Sequence, residues 1–494
     1  MAGTASAQDA KAVLRAAAAA IGANTVKSLR ISGTGVVGAV GQSYSSLETH
    51  AVLDPPNDDW PRFDVTSYTR TIDYEAKSSL EDLTRRQGNN RARGGGGTPL
   101  QGEQRQISVV RDAFAWNMQQ EAVTPAPAAA EVRQLDIWLT PHGFLKAALA
   151  STDPTIISRP QGGRSVTIVS FLALGKYRVN GTINDQNMVE LVQTWIANPV
   201  LGDMLYETRY TNYKDYAGGV KFPTVLHTHQ GDFGLYPADN SQEIRVTDVQ
   251  VNVDARPPAV PDAVRAAAVP PVRVESQKLS EGVWLLGGDS HNSVLVEFRD
   301  FVTLIEAPLN EARSLALLAE VHRLTPNKPI RYVVNTHNHF DHLGGVRTFV
   351  SEGATIITHE RNREFYQNVV LRPGLRLLEP DRLSLYPRAA VLETMSQKFT
   401  VSDGERTLDL YPVQGLAHAM NMLVAYLPKE KILVNADLYS PPASDAQTPA
   451  PSASMVTLNQ TIQRLKLDVA RHVPIHGAVG TGEQFARIMA KPGA

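Results

Sequence analysis

The chain has 494 residues, with 48 Lys and Arg against 50 Asp and Glu, a formal charge of -2 and no cysteine. The near-neutral balance gives no electrostatic case for nucleic acid or an anionic membrane as a partner, and 43% hydrophobic with 20% charged residues is the composition of a folded globular chain. Missing cysteine excludes disulfides, thiolate nucleophiles, iron–sulfur clusters and thiolate-bound zinc together, so a metal must be held by His and carboxylate and a nucleophile must be oxygen or nitrogen.

At the start of the chain, Ala5-Ser6-Ala7 has the small-residue form found around a signal-peptidase site, without the charged and apolar leader that would precede it. The expectation is a periplasmic or secreted protein whose signal peptide has been removed; the alternative is an Ala-rich cytoplasmic N-terminus. Ala12 to Ala23 reads as a short helix with Asp9 as N-cap and Gly22 as its stop. No apolar run reaches the roughly 18–20 residues of a membrane span.

From there to residue 255 the pattern is mainly β. Alternating runs such as Leu29 to Ser32, Phe63 to Tyr74 and Ile107 to Trp116 are separated by Gly, Pro and Asn turns, and Tyr206 to Tyr216 with Val220 to Gln230 forms a hairpin around Gly218-Gly219. Gly33-Thr34-Gly35-Val36-Val37-Gly38 matches a dinucleotide fingerprint in letters alone, because no helix follows it to receive a phosphate. Arg85 to Gly97, with four arginines and four consecutive glycines, reads as a solvated loop, or else as a lid or anion-binding loop. His227 and His229 share a strand face and read as ordinary strand residues. A Pro-rich stretch through Pro257-Pro258, Pro261 and Pro270-Pro271 reads as a linker over 256–272, dividing the chain into 1–255 and 273–494.

After the linker, strands and helices alternate. Strand candidates are Val294 to Phe298, Phe301 to Ile305, Arg331 to Asn335, Thr355 to Thr358, Thr407 to Tyr411, Met422 to Leu427, Lys431 to Asn435 and His472 to Ile475. Helical patterns cover Asn310 to Leu324, Asp341 to Ser351 and Val456 to Lys466, an arrangement that argues for a layered domain of helices on sheets.

The strongest signal is Thr336-His337-Asn338-His339-Phe340-Asp341-His342-Leu343-Gly344-Gly345, directly after a buried strand. His337 and His339 project to one side of extended chain, and Asp341 with His342 opens a helix, so one pair can face one metal and the other pair a second. His418, Asp437 and His476 each fall at or just past the end of a predicted strand, where ligand and catalytic groups collect on such scaffolds.

On these residues the chain from about Val274 to Ile488 resembles the metallo-β-lactamase superfamily. The resemblance implies an αββα sandwich after the mainly antiparallel β part, an α+β chain overall. It also implies that His337, His339 and His418 bind one metal, that Asp341, His342 and His476 bind a second, and that Asp437 bridges them. Asp437 at that place is like hydrolases of thioesters and lactones, whereas zinc β-lactamases lack this aspartate. Family members often carry Gly-His-Ser or Gly-His-Thr around the third histidine; here it is Ala417-His418-Ala419, so any hydroxyl contact there must come from elsewhere. Separately, Tyr213 to Pro223 is similar to the curved-sheet lipoprotein-carrier domains of bacterial envelopes, which implies a half-barrel able to cup an apolar ligand or to pack over the active site.

Imidazole and carboxylate without thiolate suit zinc, two ions per chain, with iron or manganese as alternatives. Two cations roughly 3.5–4 Å apart can hold a bridging hydroxide at neutral pH. The expected reaction is its attack on the carbonyl of an ester, lactone, thioester or amide in a small-molecule substrate. Asp341 and Tyr439 are the candidate catalytic groups, Tyr439 by offering its phenol to a developing oxyanion. His291-Asn292 is a candidate for the pocket rim, and His359 reads as structural. The competing expectations are a zinc β-lactamase, an iron-dependent oxidoreductase resembling persulfide dioxygenases, and a non-catalytic envelope carrier. Specificity is expected from the loops Glu360 to Ser396 and Ser440 to Ser454.

Overall fold

The computed structural model describes residues 7–46, 61–232, 236–254, 259–372, 374, 376–442 and 449–492. Ala5-Ser6, Pro257-Pro258 and residues 443–448 of the second specificity loop lie outside them. The first helix is Ala7–Ala20, so Asp9 stands inside its first turn instead of capping it. Gly22, at a φ of 72°, ends the helix, as a left-handed position that favours glycine.

Among the described residues thirteen strands, each antiparallel to its neighbours, form a single large sheet between Ser28 and Val251. Its first strand, Ser28–Gly38, lies between Arg62–Asp73 and the last strand, Tyr236–Val251, so the two ends of this half of the chain meet mid-sheet. Gly35 belongs to this strand: a Cβ there would strike the Glu243 carbonyl of the neighbouring strand, and the glycine serves close strand approach, not a phosphate. The run Ile107 to Trp116 is two strands, Gln104–Arg111 and Phe114–Gln119, because the chain turns at Asp112 with a φ of 50°. The hairpin Gly202–Tyr216 with Val220–Asp232 forms around the two glycines with Tyr216 opposite Val220. Helices Ala130–Leu139 and Pro141–Ala150 bury Leu135, Phe144 and Leu145 against Val179, Val192 and Tyr210 of the sheet.

The Pro-rich stretch is not free chain throughout. Pro261 precedes a short helix, Asp262–Ala266, and Val260 and Val264, four residues apart, pack on Val109 and Trp116 of the first sheet.

Beyond it lie a seven-stranded and a six-stranded sheet. Val296, Ile305 and Val334 of the first meet Leu410, Val424 and Val434 of the second in one core. Leu317, Val321 and Phe349 from helices cover the outer face of the seven-stranded sheet, and Leu458, Phe485 and Ile488 cover that of the other. This is the αββα sandwich. Strands Glu275–Ser280 and Val283–Gly287 and the helix Gly482–Met489 join it without having been legible in the pattern. The helix expected over Asp341 to Ser351 is two, Phe340–Leu343 and Val346–Ser351, parted by Gly344-Gly345. The loop Glu360 to Ser396 is also not one loop: it holds short helical turns and the strand Val391–Met395. No helix among the described residues is long and apolar enough to cross a membrane.

Candidate metal centre

The strand Ile330–Val334 delivers Asn335 to His339 to the rim of the sandwich, and the turn of Phe340–Leu343 brings Asp341 and His342 back over it. Asp437 follows the strand Ile432–Ala436 and His476 follows Arg471–Pro474. Two groups of side chains result. In one, ligating atoms of His337, His339, His418 and Asp437 lie within 4.8 Å of one another; in the other, those of His291, Asp341, His342 and His476 do. The four residues of the motif and the three singled out at strand ends are therefore brought together, with His291 added. Asp437 reaches both groups: its Oδ2 is 3.3 Å from His418 Nε2 and 3.1 Å from His342 Nε2, and its Oδ1 is 3.5 Å from His476 Nε2.

The outward nitrogens of the rings decide what the inward ones present. His339 Nε2 donates to the Ser43 carbonyl at 3.0 Å and His476 Nδ1 to the Ser290 carbonyl at 3.1 Å, since a carbonyl only accepts. Glu306, buried at the end of the strand Val302–Ile305, sets its Oε2 3.3 Å from His342 Nδ1, and its Oε1 accepts from the Thr336 amide at 2.7 Å. Thr336 Oγ1 stands 3.0 Å from His337 Nδ1. The nitrogens left facing inward meet as pairs, His337 Nε2 to His339 Nδ1 at 3.0 Å and His342 Nε2 to His476 Nε2 at 3.3 Å. Ring nitrogens this close cannot meet lone pair to lone pair without a proton or a metal cation between them, and oxygen partners behind metal-binding rings are the usual way of fixing their orientation. The residues present fit divalent metal ions.

The protonation pattern agrees. Burial pulls His339 down to about 3, with the neighbouring His418 adding to the effect. Burial also opposes charge on His342, yet Asp437 and Glu306 raise it well above the ordinary value. Asp437 is pushed up by burial but held well below the carboxylate range by His342 and the other rings. Asp341 is held low against burial by its hydrogen bond from His291 and the charge of His342. The carboxylates of the pocket thus favour positive charge at the centre.

Asp341 is gripped on both oxygens. His291 Nε2 donates to Oδ2 at 3.2 Å while Ser290 Oγ sits 2.8 Å from His291 Nδ1, and Gln42 Nε2 donates to Oδ1 at 2.8 Å. His291 is therefore within the centre instead of at a rim. Tyr439 is not brought to it. Its ring is buried against His472 and Phe485, at centroid distances of 5.3 and 4.9 Å, on the side of the sheet covered by the C-terminal helix. His359 accepts from the Arg361 amide at 3.1 Å, a turn-capping role. His227 and His229 lie with tilted rings 4.4 Å apart on the first sheet, His229 beside Glu207 at 3.3 Å.

Three contributors were not legible beforehand. Glu306 had a signal of a kind, a carboxylate directly after an apolar strand run, as Asp437 has. Gln42 and Ser43 had none, because they lie in the other half of the chain. The glycine loop, read as solvated, lies against the centre: the Gly94 amide bonds the Ala417 carbonyl at 2.9 Å, and a Cβ on Gly95 would come 2.8 Å from His339 Cε1.

Residues 286–476 match the metallo-beta-lactamase superfamily. The C-terminal half thus carries a metallo-beta-lactamase-like fold, preceded by the large antiparallel sheet. Among curated proteins the chain is 32% identical over 76 residues to a linear primary-alkylsulfatase of a Pseudomonas species and, equally, to an alkyl/aryl-sulfatase of Saccharomyces cerevisiae. These matches cover 15% of this chain and only 11% and 12% of those proteins. Among solved structures, a metallo-beta-lactamase from Pontibacter korlensis is 19% identical over 44% of this chain and 98% of its own, with a TM-score of 0.34. The metallo-beta-lactamase FIM-1 from Pseudomonas aeruginosa, in a mono-zinc form, is 22% identical over 44% and 95%, with a TM-score of 0.32.

Proposed function

We propose that this chain is a binuclear metal-dependent hydrolase, with two zinc ions, acting on an ester-type bond of a small molecule. The observation that carries the reading is the pair of four-residue groups joined by Asp437. Divalent cations bound there supply Lewis acidity and lower the pKa of a coordinated water towards neutrality. His337, His339 and His418 would hold one, and Asp341, His342 and His476 the other, with Asp437 shared. The chain's own contribution is orientation: Ser43, Ser290, Thr336 and Glu306 fix the rings, and Gln42 with His291 fixes Asp341. His337, His339 and His342 are fully buried, whereas the side chains of Asp341 and His476 are 30% and 36% exposed, so substrate approaches from that side.

Carboxylic esters, lactones, thioesters and amides are the first substrate class. A sulfate ester is the second reading, favoured by the likeness to the two alkylsulfatases. Export, and a division of the chain at residues 256–272 into two domains, belong to the same proposal. Metal analysis of protein purified without added metal is expected to give about two zinc per chain, and a panel of carboxylic esters, lactones, a β-lactam and dodecyl sulfate to show turnover on one class. His337→Ala and Asp341→Ala should lose both metal and turnover. One iron per chain would favour the oxidoreductase reading instead, and inertness of the metal-loaded protein across the whole panel would favour a carrier.

A further inference from the structure

The segment that follows the first strand of the N-terminal sheet, Gly41 to Ser46, lies across the metal centre and is laced to it on both sides. On the side of the histidine motif, the Phe340 amide bonds the Gly41 carbonyl at 3.0 Å, and Asn338 Nδ2 bonds Ser43 Oγ at 3.1 Å. On the side of His418, the Met420 amide bonds the Tyr44 carbonyl at 2.8 Å, and Asn421 Nδ2 bonds Ser46 Oγ at 3.3 Å. Two contacts go to the candidate ligands themselves: Gln42 Nε2 to Asp341 Oδ1 and the Ser43 carbonyl to His339 Nε2. The glycine loop locks the strap from outside. Gly95 donates its amide to the Gln42 carbonyl at 3.0 Å and Gly96 to Gln42 Oε1 at 2.9 Å, which turns the amide so that Nε2 points at Asp341.

We infer that Gln42 and Ser43 are positioning residues of the metal centre, so that the centre attains its full metal affinity only with the N-terminal sheet docked against the sandwich. The inference rests on the proposed metal-dependent reading. The physical case is that an amide with its oxygen already committed to Gly96 can offer only its N–H to Asp341. It therefore fixes one carboxylate oxygen and leaves the group's remaining lone pairs for a cation. The Ser43 carbonyl does the same for His339, by committing Nε2 as donor and leaving Nδ1 inward. Polar partners behind metal ligands typically change affinity about 10–100-fold when removed. Coupling is reciprocal: metal bound at the centre must tighten the docking by the same factor.

The test uses the full chain loaded with Co2+ as a spectroscopic probe and Zn2+ in competition with a chromophoric chelator. Gln42→Met keeps the length and removes the amide; Gly95→Ala places a methyl against Gln42 Oε1 and His339. Both are expected to bind Zn2+ about 10–100-fold more weakly and to shift the visible bands of the Co2+ form, while the metal-free form of Gln42→Met keeps the wild-type circular-dichroism spectrum. Wild-type Zn2+ affinity and Co2+ spectrum in both variants would overturn the inference and leave the hydrolase reading standing. A wild-type chain that takes up neither metal would overturn both.

Discussion

At the scale of single residues, the groups that matter most are those that set a neighbour's protonation or direction. Glu306 is fully buried and has a φ of 72°, a backbone state that non-glycine residues adopt rarely and that aims its carboxylate back at Thr336 and His342. Glu306→Gln is nearly isosteric but supplies an N–H where His342 Nδ1 already donates. Zn2+ affinity should fall about 10–100-fold, measured by chelator competition; unchanged affinity would remove Glu306 from the centre. Tyr439 is the opposite case. Its position two residues past Asp437 suggested a phenol at the site, since alternation along extended chain would keep the two on one face. But the chain turns here, with Ala436 at a φ of 48° and the Leu438 amide bonded to the Asn435 carbonyl, and the ring enters the core beside Phe485.

At the scale of elements, the centre depends on how closely its loops pack. A Cβ on Gly344 would overlap the Leu309 carbonyl, so the break between Phe340–Leu343 and Val346–Ser351 exists to let the 307–310 loop pass beneath the ligands. Gly344→Ala should cost roughly 1–3 kcal/mol from overpacking, read as a lowered urea midpoint. The helix Glu311–Leu324 starts at Asn310, whose side chain accepts from the Arg313 amide at 3.0 Å. Asn310→Ala should cost about 1 kcal/mol through loss of that cap, visible as a lower Tm. The strands here were largely readable, because apolar runs of four to six residues bounded by turn residues have few alternatives. The split helix was not: its two glycines permit a helix, and only the loop beneath them forbids its continuation.

At the scale of the whole molecule, a second connection joins the sheet to the sandwich away from the metal centre. Arg376 donates to the Pro199 carbonyl at 2.7 Å and the Val200 carbonyl at 3.1 Å, and Asp203 accepts from the Leu377 and Leu378 amides. Asp381 stands behind Arg376 at 3.4 Å and takes a hydrogen bond from Arg347 Nη2 at 3.1 Å, while Arg347 also bonds the Val370 and Arg372 carbonyls. Burial opposes charge on Asp381, but Arg347 and Arg376 outweigh it and hold the carboxyl below its usual range. Its contribution to stability is therefore complete above the unfolded-state value of roughly 3.9 and is lost as pH falls through the lower folded value. Asp381→Asn leaves two buried guanidiniums without their anion. It should cost roughly 3–5 kcal/mol near neutrality and flatten the acid limb of the stability curve, followed by denaturant unfolding between about pH 2 and 5.

The sequence by itself determined the donor chemistry and much of its placement. Without cysteine the ligands could only be His and carboxylate, and short apolar strands followed at once by His337, Asp437 or His476 put them at strand ends, a local relation that pattern alone expresses. Only the tertiary structure decided the rest. Gln42 meets Asp341 across 299 positions of sequence, and His291 meets Asp341 across 50. No periodicity or spacing encodes such contacts. They arise because the N-terminal sheet is pinned to the sandwich at both the strap and Arg376, and because hydrogen bonds buried there must find partners from whichever segment packing brings near.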